Sequence, residues 1–403
     1  MHSPPNISPW PYYEADEIES ASQTLSSGKV NYWTGELGRQ FEVAYAKSVG
    51  KQYGIALSNG TVALELALRA LGIKAGDEVI VASRSYVASA SCVLLVGATP
   101  VFADLDINSG NISVETIAPL INKKTKAIIP VHVGGWPCDM PAIMMLANQY
   151  NLLVIEDCAQ AHGAYISGKP VGAWGHAAIF SFCQDKIIST GGEGGMLLLD
   201  DEQTYKKAWA YKDIGRSYDA VYHQEHAEGF RWLTESTGSN FRMTEFQAAI
   251  GLKQLDKLPS WVAQRNKNAI AIADILRHYD FIDVPTFEAS GDNINAYYRL
   301  YAKVKKNAVV DGKSDETLRD FMINQLVVAG VPCFSGSCAE IYREKLFTNL
   351  APNKRLENAA LFSDNAFCFL VHHTITNQQL SLMSQNIKQL LSSLALKSKA
   401  LIE

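Results

Sequence analysis

The sequence predicts an α/β fold: a mostly parallel sheet flanked by helices, followed by a smaller α+β domain. Three observations predict it. Short, continuously apolar runs recur at residues 54–57, 78–82, 99–103, 127–133, 152–156, 177–182 and 196–199. Runs without alternation are those of strands buried on both faces. Helical patterns lie between several of them, at 87–96, 114–122 and 141–150, and such alternation builds a parallel sheet. Beyond Pro259 the pattern changes to long helices with few strands, at 298–304 and 367–371, and an amphipathic helix at 378–396. The chain therefore divides into an arm (1–13), a large domain (14–259) and a small domain (260–403).

Composition sets the class. The 403 residues are 47% hydrophobic and 19% charged, a globular profile. A net charge of −5 gives no general polyanion-binding surface, so no nucleic-acid partner is expected. The seven cysteines are odd in number and dispersed, without a CxxC pair. That points to a reducing, cytoplasmic setting and away from a structural zinc site. Residues 1–14 carry prolines where a signal peptide carries an apolar run, and the most apolar region, 86–103, is cut by Gly97 and Pro100. No membrane span is expected.

Taken in order, Pro4, Pro5, Pro9 and Pro11 keep the arm irregular. Helical patterning begins near Glu14 and resumes at 38–49. Ser58-Asn59-Gly60-Thr61 follows the first strand run and precedes VALELALRALG. It is a strand-to-helix turn, whose free N–H groups suit a phosphate or whose Ser58 or Asn59 simply caps the helix. Asp157 ends the run LLVIE; it is either a cap for the next turn or a carboxylate for a protonated cofactor nitrogen. Lys186 lies between the run 177–182 and the cluster Gly191, Gly192, Gly194 and Gly195. It is either a solvated loop lysine or an amine able to form a Schiff base with a carbonyl cofactor. A long polar loop, 213–239, carries Arg216 and Arg231 and leads to a helix opened by Asn240 to Glu245.

The ordered set SNGT, Tyr86, EDCAQAHG, FSFCQDK, TGGEGG and NFRMTEFQAAIG resembles the DegT/StrS family of pyridoxal-phosphate sugar aminotransferases, of fold type I. The resemblance covers most of the chain. It implies pyridoxal 5'-phosphate held by Lys186, with Asp157 on the ring nitrogen, Gln160 near the ring's phenolic oxygen and Tyr86 stacked on the ring. Gly60, Thr61 and Ser181 would hold the phosphate, with Asn240 reaching it from the partner subunit of a homodimer. Family members whose lysine is replaced by histidine are dehydratases; Lys186 therefore implies transamination, with L-glutamate as donor.

Three stretches, GFRWLTESTGSNFRMTEFQAAIG, VPCFSGSCAEIYREK and NAFCFLVHHTI, resemble the branch that aminates C8 of an oxidised 3-deoxy-manno-octulosonate (Kdo), giving 8-amino-Kdo for lipopolysaccharide. A sugar acid needs a cation: Arg231 and Arg242 are the candidates, with Arg216 behind them. Each could instead serve an ion pair. His372 and the segment 335–338 could line the same pocket. A nucleotide-linked 3-keto or 4-keto sugar is the alternative acceptor, and a PLP-binding regulator without turnover is the alternative of another class. The dinucleotide fingerprint GxGxxG is missing after the first strand, and no GK[ST] P-loop is present.

Overall fold

The computed structural model describes residues 7–288, 292–305 and 317–400, with side chains to 395. Pro4 and Pro5 of the arm lie outside the described residues. The strands of the main sheet are β1 (Tyr53–Leu57), β2 (Glu78–Ala82), β3 (Thr99–Ala103), β4 (Thr125–Ile129), β5 (Leu153–Asp157), β8 (Ala177–Ser181) and β9 (Gly195–Leu199). A two-strand hairpin, β6 (Tyr165–Ile166) and β7 (Lys169–Pro170), stands apart.

The sheet order is β1-β9-β8-β5-β4-β2-β3. Strands β3, β2, β4, β5 and β8 pair in parallel, and β9 runs antiparallel to both β8 and β1. The apolar runs are buried along their length, as in β8 and β9 where every residue is buried. Helices Gly60–Ala70, Ala88–Leu95 and Met140–Gln149 follow β1, β2 and β4. The fold is the α/β class expected.

Two sequence expectations shift. The fourth strand stops at Ile129 rather than continuing to 133, because Pro130 has no N–H for the ladder. The loop 213–239 contains a short helix, Tyr218–Tyr222, capped by Ser217.

Because the parallel strands share one direction, Leu57, Ala82, Asp157 and Ser181 all end at one edge of the sheet. The antiparallel β9 begins there, with Gly195 opposite both Leu57 and Ser181. A Cβ on Gly195 would lie 2.4 Å from the Asn59 carbonyl oxygen, so only glycine lets the glycine-cluster loop and the SNGT turn meet.

A second sheet, β10 (Ile282–Asp283), β11 (Leu300–Val304), β12 (Cys333–Phe334) and β13 (Ala366–Phe369), is antiparallel in the order β10-β11-β13-β12. The helix Glu245–Leu276 joins the two layers and contains Pro259. Its Ala248, Leu258 and Val262 pack in the core of the main sheet, while Ala269, Ile272 and Leu276 pack under the second. The division expected at 259 thus falls within one continuous helix. Glu245, at the start of that helix, accepts hydrogen bonds from the N–H groups of Leu37 (2.6 Å) and Gly38 (3.1 Å). It thereby satisfies two of the free donors of the helix Leu37–Val49.

Candidate active site

At the C-terminal edge of the main sheet lies a cavity of about 850 Å³, lined by Tyr86, Gln160, Lys186, Arg299, the 334–338 segment and His372. Ligands of open α/β sheets bind at this edge. The arm closes one side: Ile7 to Trp10 also line the cavity. The Trp10 indole N–H donates to the Lys186 carbonyl at 2.9 Å.

Lys186 sits in the loop between β8 and β9. Its Nζ is 3.3 Å from Asp185 Oδ1 and lies over the Tyr298 ring, 5.1 Å from the centroid. The other Asp185 oxygen accepts from the Tyr298 hydroxyl and lies 3.6 Å from Arg299 Nη2. Burial pushes the Lys186 ammonium pKa down, but Tyr298 and Asp185 outweigh it, and the net displacement is upward. Burial likewise raises Asp185, and Lys186 above all reverses it, so the carboxyl stays below its ordinary range. The two therefore face each other as ammonium and carboxylate.

Asp157, the last residue of β5, is buried. Its Oδ2 accepts from Ser89 Oγ at 2.7 Å and its Oδ1 from the Ala159 N–H at 3.1 Å. Since Ser89 donates to Asp157, its oxygen is left to accept from Ser85 Oγ, 2.6 Å away. This chain ties Asp157 to the turn that carries Tyr86, whose ring is 68% exposed. Burial raises the Asp157 pKa, with Ser89 and Ala159 opposing it and Lys186 acting in the same opposing sense. A carboxylate so placed gains from a cationic neighbour.

Gly60 opens the helix Gly60–Ala70, whose Asn59 cap accepts from the Val62 N–H at 3.0 Å. Asn59 capping leaves the N–H groups of Gly60 and Thr61 outside the helical ladder. A Cβ on Gly60 would meet the Ser181 Cβ at 2.7 Å, so the helix N-terminus and the end of β8 form one close cradle. Behind it His162 is buried, and burial pushes its pKa down to about 3. Its Nε2 lies 3.0 Å from the Ser181 carbonyl, which can only accept, so Nε2 carries the proton. Nδ1 then accepts from the Tyr45 hydroxyl at 2.7 Å. Gln160 accepts from the Gly134 N–H at 2.8 Å and points its amide nitrogen to Ser337 Oγ at 3.5 Å.

The remaining sequence candidates lie elsewhere in the chain. Asn240 is exposed, in a segment that borders the end of β1 through Ser58 N–H donating to the Phe241 carbonyl at 2.9 Å. Arg216 and Arg242 share the buried Asp213, at 3.3 and 2.6 Å. Arg231 is exposed between Phe230 and Trp232. The cations that do line the Lys186 cavity are Arg265 and Arg299.

Lys186, Asp157, the Gly60 helix start and Ser181 occupy one sheet edge in the order in which the sequence motifs occur. The family model for DegT/DnrJ/EryC1/StrS aminotransferases matches residues 11–388. The chain belongs to that family. It is 37% identical to a GDP-perosamine synthase of Escherichia coli O157:H7, over 81% of this chain and 83% of that one. It is 40% identical to a UDP-N-acetyl-3-dehydro-alpha-D-glucosamine 3-aminotransferase of Acidithiobacillus ferrooxidans, over 58% of this chain and 60% of that one. Among solved structures, an aminotransferase from Psychrobacter cryohalolentis superposes with a TM-score of 0.93 at 48% identity, covering 96% of this chain and 99% of that chain. The protein is a sugar aminotransferase of this family, with pyridoxal 5'-phosphate as cofactor. The residues present fit that group: a buried carboxylate, an amine, an uncovered aromatic ring and a helix N-terminus share one edge. Among the described residues no helix is long and apolar enough to cross a membrane.

Ser89, Asp185, Tyr298, Arg265, Arg299 and Trp10 did not emerge from the sequence. Asp185 had a signal in its adjacency to Lys186. The others are brought in from distant segments, and no local pattern announces them.

Proposed function

We propose that this aminotransferase moves the amino group of L-glutamate to a nucleotide-linked keto sugar. The observation that carries the proposal is the meeting of Lys186, Asp157 and the Gly60–Ser181 cradle at one edge of the sheet. The GDP- and UDP-linked names of two relatives support a nucleotide-linked acceptor.

Pyridoxal phosphate, when bound, supplies a carbonyl that takes the amino group and a ring that withdraws electrons. Lys186 would hold it at rest. Once freed, its amine would carry the proton from the substrate α-carbon, and later return it, as general acid and base. Asp185 and Tyr298, which favour the ammonium, would hold the amine in the cavity once it has taken the proton. Asp157 would pair with the ring nitrogen and keep it protonated, oriented by Ser89 and the Ala159 N–H. Gly60, Thr61 and Ser181 would hold the phosphate at the helix N-terminus. Tyr86 would cover the ring and Gln160 would reach its phenolic oxygen. His372 lines the same cavity and would face the substrate.

We further propose a homodimer in which Asn240 completes the partner's phosphate site. Phe230 and Trp232, 77% and 84% exposed in the loop that precedes Asn240, support an interface there. In such a dimer Arg231, Arg242 and Arg216 would serve the partner's cavity rather than their own. The dispersed cysteines support a cytoplasmic setting.

A second acceptor, 8-oxo-Kdo giving 8-amino-Kdo for lipopolysaccharide, is favoured by Arg299 and Arg265, cations in the Lys186 cavity suited to a sugar acid. Purified protein with glutamate, offered GDP- and UDP-linked keto sugars and 8-oxo-Kdo in parallel, decides between them by mass spectrometry. An aminated nucleotide sugar is the expected product; amination of 8-oxo-Kdo alone selects the second reading. No aminated product from any, with glutamate still converted, removes both acceptors.

A further inference from the structure

The Lys186 cavity holds a buried guanidinium that has no counter-charge and no role among the cofactor's binding residues. Arg265, on the helix Glu245–Leu276, is 2% exposed. Its Nη1 donates to the carbonyls of Tyr297 (3.3 Å) and Tyr298 (3.4 Å), but its Nε has no hydrogen-bond partner. Among the described residues no carboxylate lies within ion-pair distance of it. Burying a guanidinium without a counter-charge is costly, and burial pulls this one down to about 9.

Arg299 faces the same cavity, and its charge further disfavours that of Arg265. Its Nη2 is 3.3 Å from the Tyr298 hydroxyl and 3.6 Å from Asp185. Asp185 is already shared with Lys186. His372 completes the corner. Burial and then the two arginines push it down to about 3, so the ring is neutral, with Nδ1 engaged by Thr374 Oγ1 at 2.7 Å. Trp10 roofs the corner: it stacks on His372, with centroids 6.3 Å apart, and takes the Arg265 guanidinium over its face at 5.7 Å. Among the described residues the cavity's carboxylates are Asp185 and Glu344; Asp185 is taken up by Lys186 and Arg299, and neither lies within ion-pair distance of Arg265.

We propose that Arg265, Arg299 and His372 form a subsite for a substrate carboxylate in the Lys186 cavity. The inference rests on the aminotransferase reading and names the group that the site recognises. An incoming carboxylate supplies the counter-charge that Arg265 lacks, and the planar fork of Arg299 suits it geometrically. The carboxylate has two sources: the amino donor, or a sugar acid as acceptor.

The test is calorimetric titration of the cofactor-loaded protein with glutarate, a dicarboxylate with neither an amino nor a keto group, and separately with Kdo. The wild type is expected to bind at least one of them saturably. Arg299→Gln, checked for retained fold and cofactor, is expected to weaken that binding at least about tenfold. Arg299→Lys, which keeps the charge and loses the fork, is expected to weaken it less. Loss confined to glutarate, with a raised KM for glutamate and an unchanged KM for the sugar, assigns the subsite to the donor. Loss confined to Kdo assigns it to the acceptor. A wild type that binds neither ligand, or Arg299→Gln and Arg299→Lys proteins that bind as the wild type does, overturns the subsite. Because neither ligand reacts, failure to find an aminated sugar would overturn the proposed function and leave this result standing.

Discussion

Asp185 and Lys186 are neighbours in the chain, and their side chains also meet, Oδ1 to Nζ, at 3.3 Å. Adjacent residues in an extended strand point to opposite faces; the loop after β8 turns both into one cavity. Burial pushes the lysine's pKa down, but Tyr298 first and Asp185 with it hold the amine above its ordinary value.

Asp185→Asn removes a group that favours the ammonium, so the Lys186 pKa falls. In cofactor-free protein, the pH midpoint for modification of Lys186 by trinitrobenzenesulfonate should move to lower pH. An unmoved midpoint would assign the upward displacement to Tyr298 alone.

Asp157→Asn should leave the fold intact and slow the half-reaction with glutamate by orders of magnitude, because removal of the α-proton depends on a protonated ring nitrogen. Stopped-flow absorbance of the loaded protein measures it. A folded, loaded variant as fast as the wild type would take Asp157 out of the chemistry. Ser89→Ala removes a hydrogen bond to that carboxylate and should weaken cofactor binding about tenfold, with a smaller rate loss than Asp157→Asn.

Gly60→Ala places a Cβ 2.7 Å from that of Ser181. Overpacking of this kind costs about 1–3 kcal/mol, so Tm should fall and cofactor affinity with it, as the cradle is forced open. Unchanged Tm and affinity would mean that Ser181 moves aside freely.

Lys186→Ala and an Asn240 variant defective in cofactor binding, each inactive alone, should recover activity when unfolded together and refolded. In a heterodimer with shared sites, one site carries both lesions and the other neither, giving up to about a quarter of wild-type activity by random pairing. A dead mixture with heterodimers present would place Asn240 in its own subunit's site.

Much of this was legible in the sequence, for physical reasons. The strands β2 and β3 fell on the apolar runs because a strand buried on both faces leaves an uninterrupted signal. Lys186, Asp157 and Gly60 were visible because each sits at the end of a strand or in the turn or loop after it, where the sequence carries punctuation. The antiparallel sense of β9 was not visible, since direction leaves no trace in composition. Nor was the arm's role: Trp10 reaches Lys186 across 176 positions, and the four prolines suggested only irregular chain. The sequence pointed to Arg216, Arg231 and Arg242 as carboxylate partners and passed over the two arginines that line the Lys186 cavity of this chain. Arg265 gave no signal because it lies within a helix pattern, and Arg299 because it sits beside a strand.

The most direct test of the central claim is borohydride reduction of the cofactor-loaded protein, followed by digestion and peptide mass spectrometry. One reduced, pyridoxyl-bearing peptide is predicted, containing Lys186, with the modification absent in Lys186→Ala. Modification of a different lysine, or a modified peptide that persists in Lys186→Ala, would contradict the account.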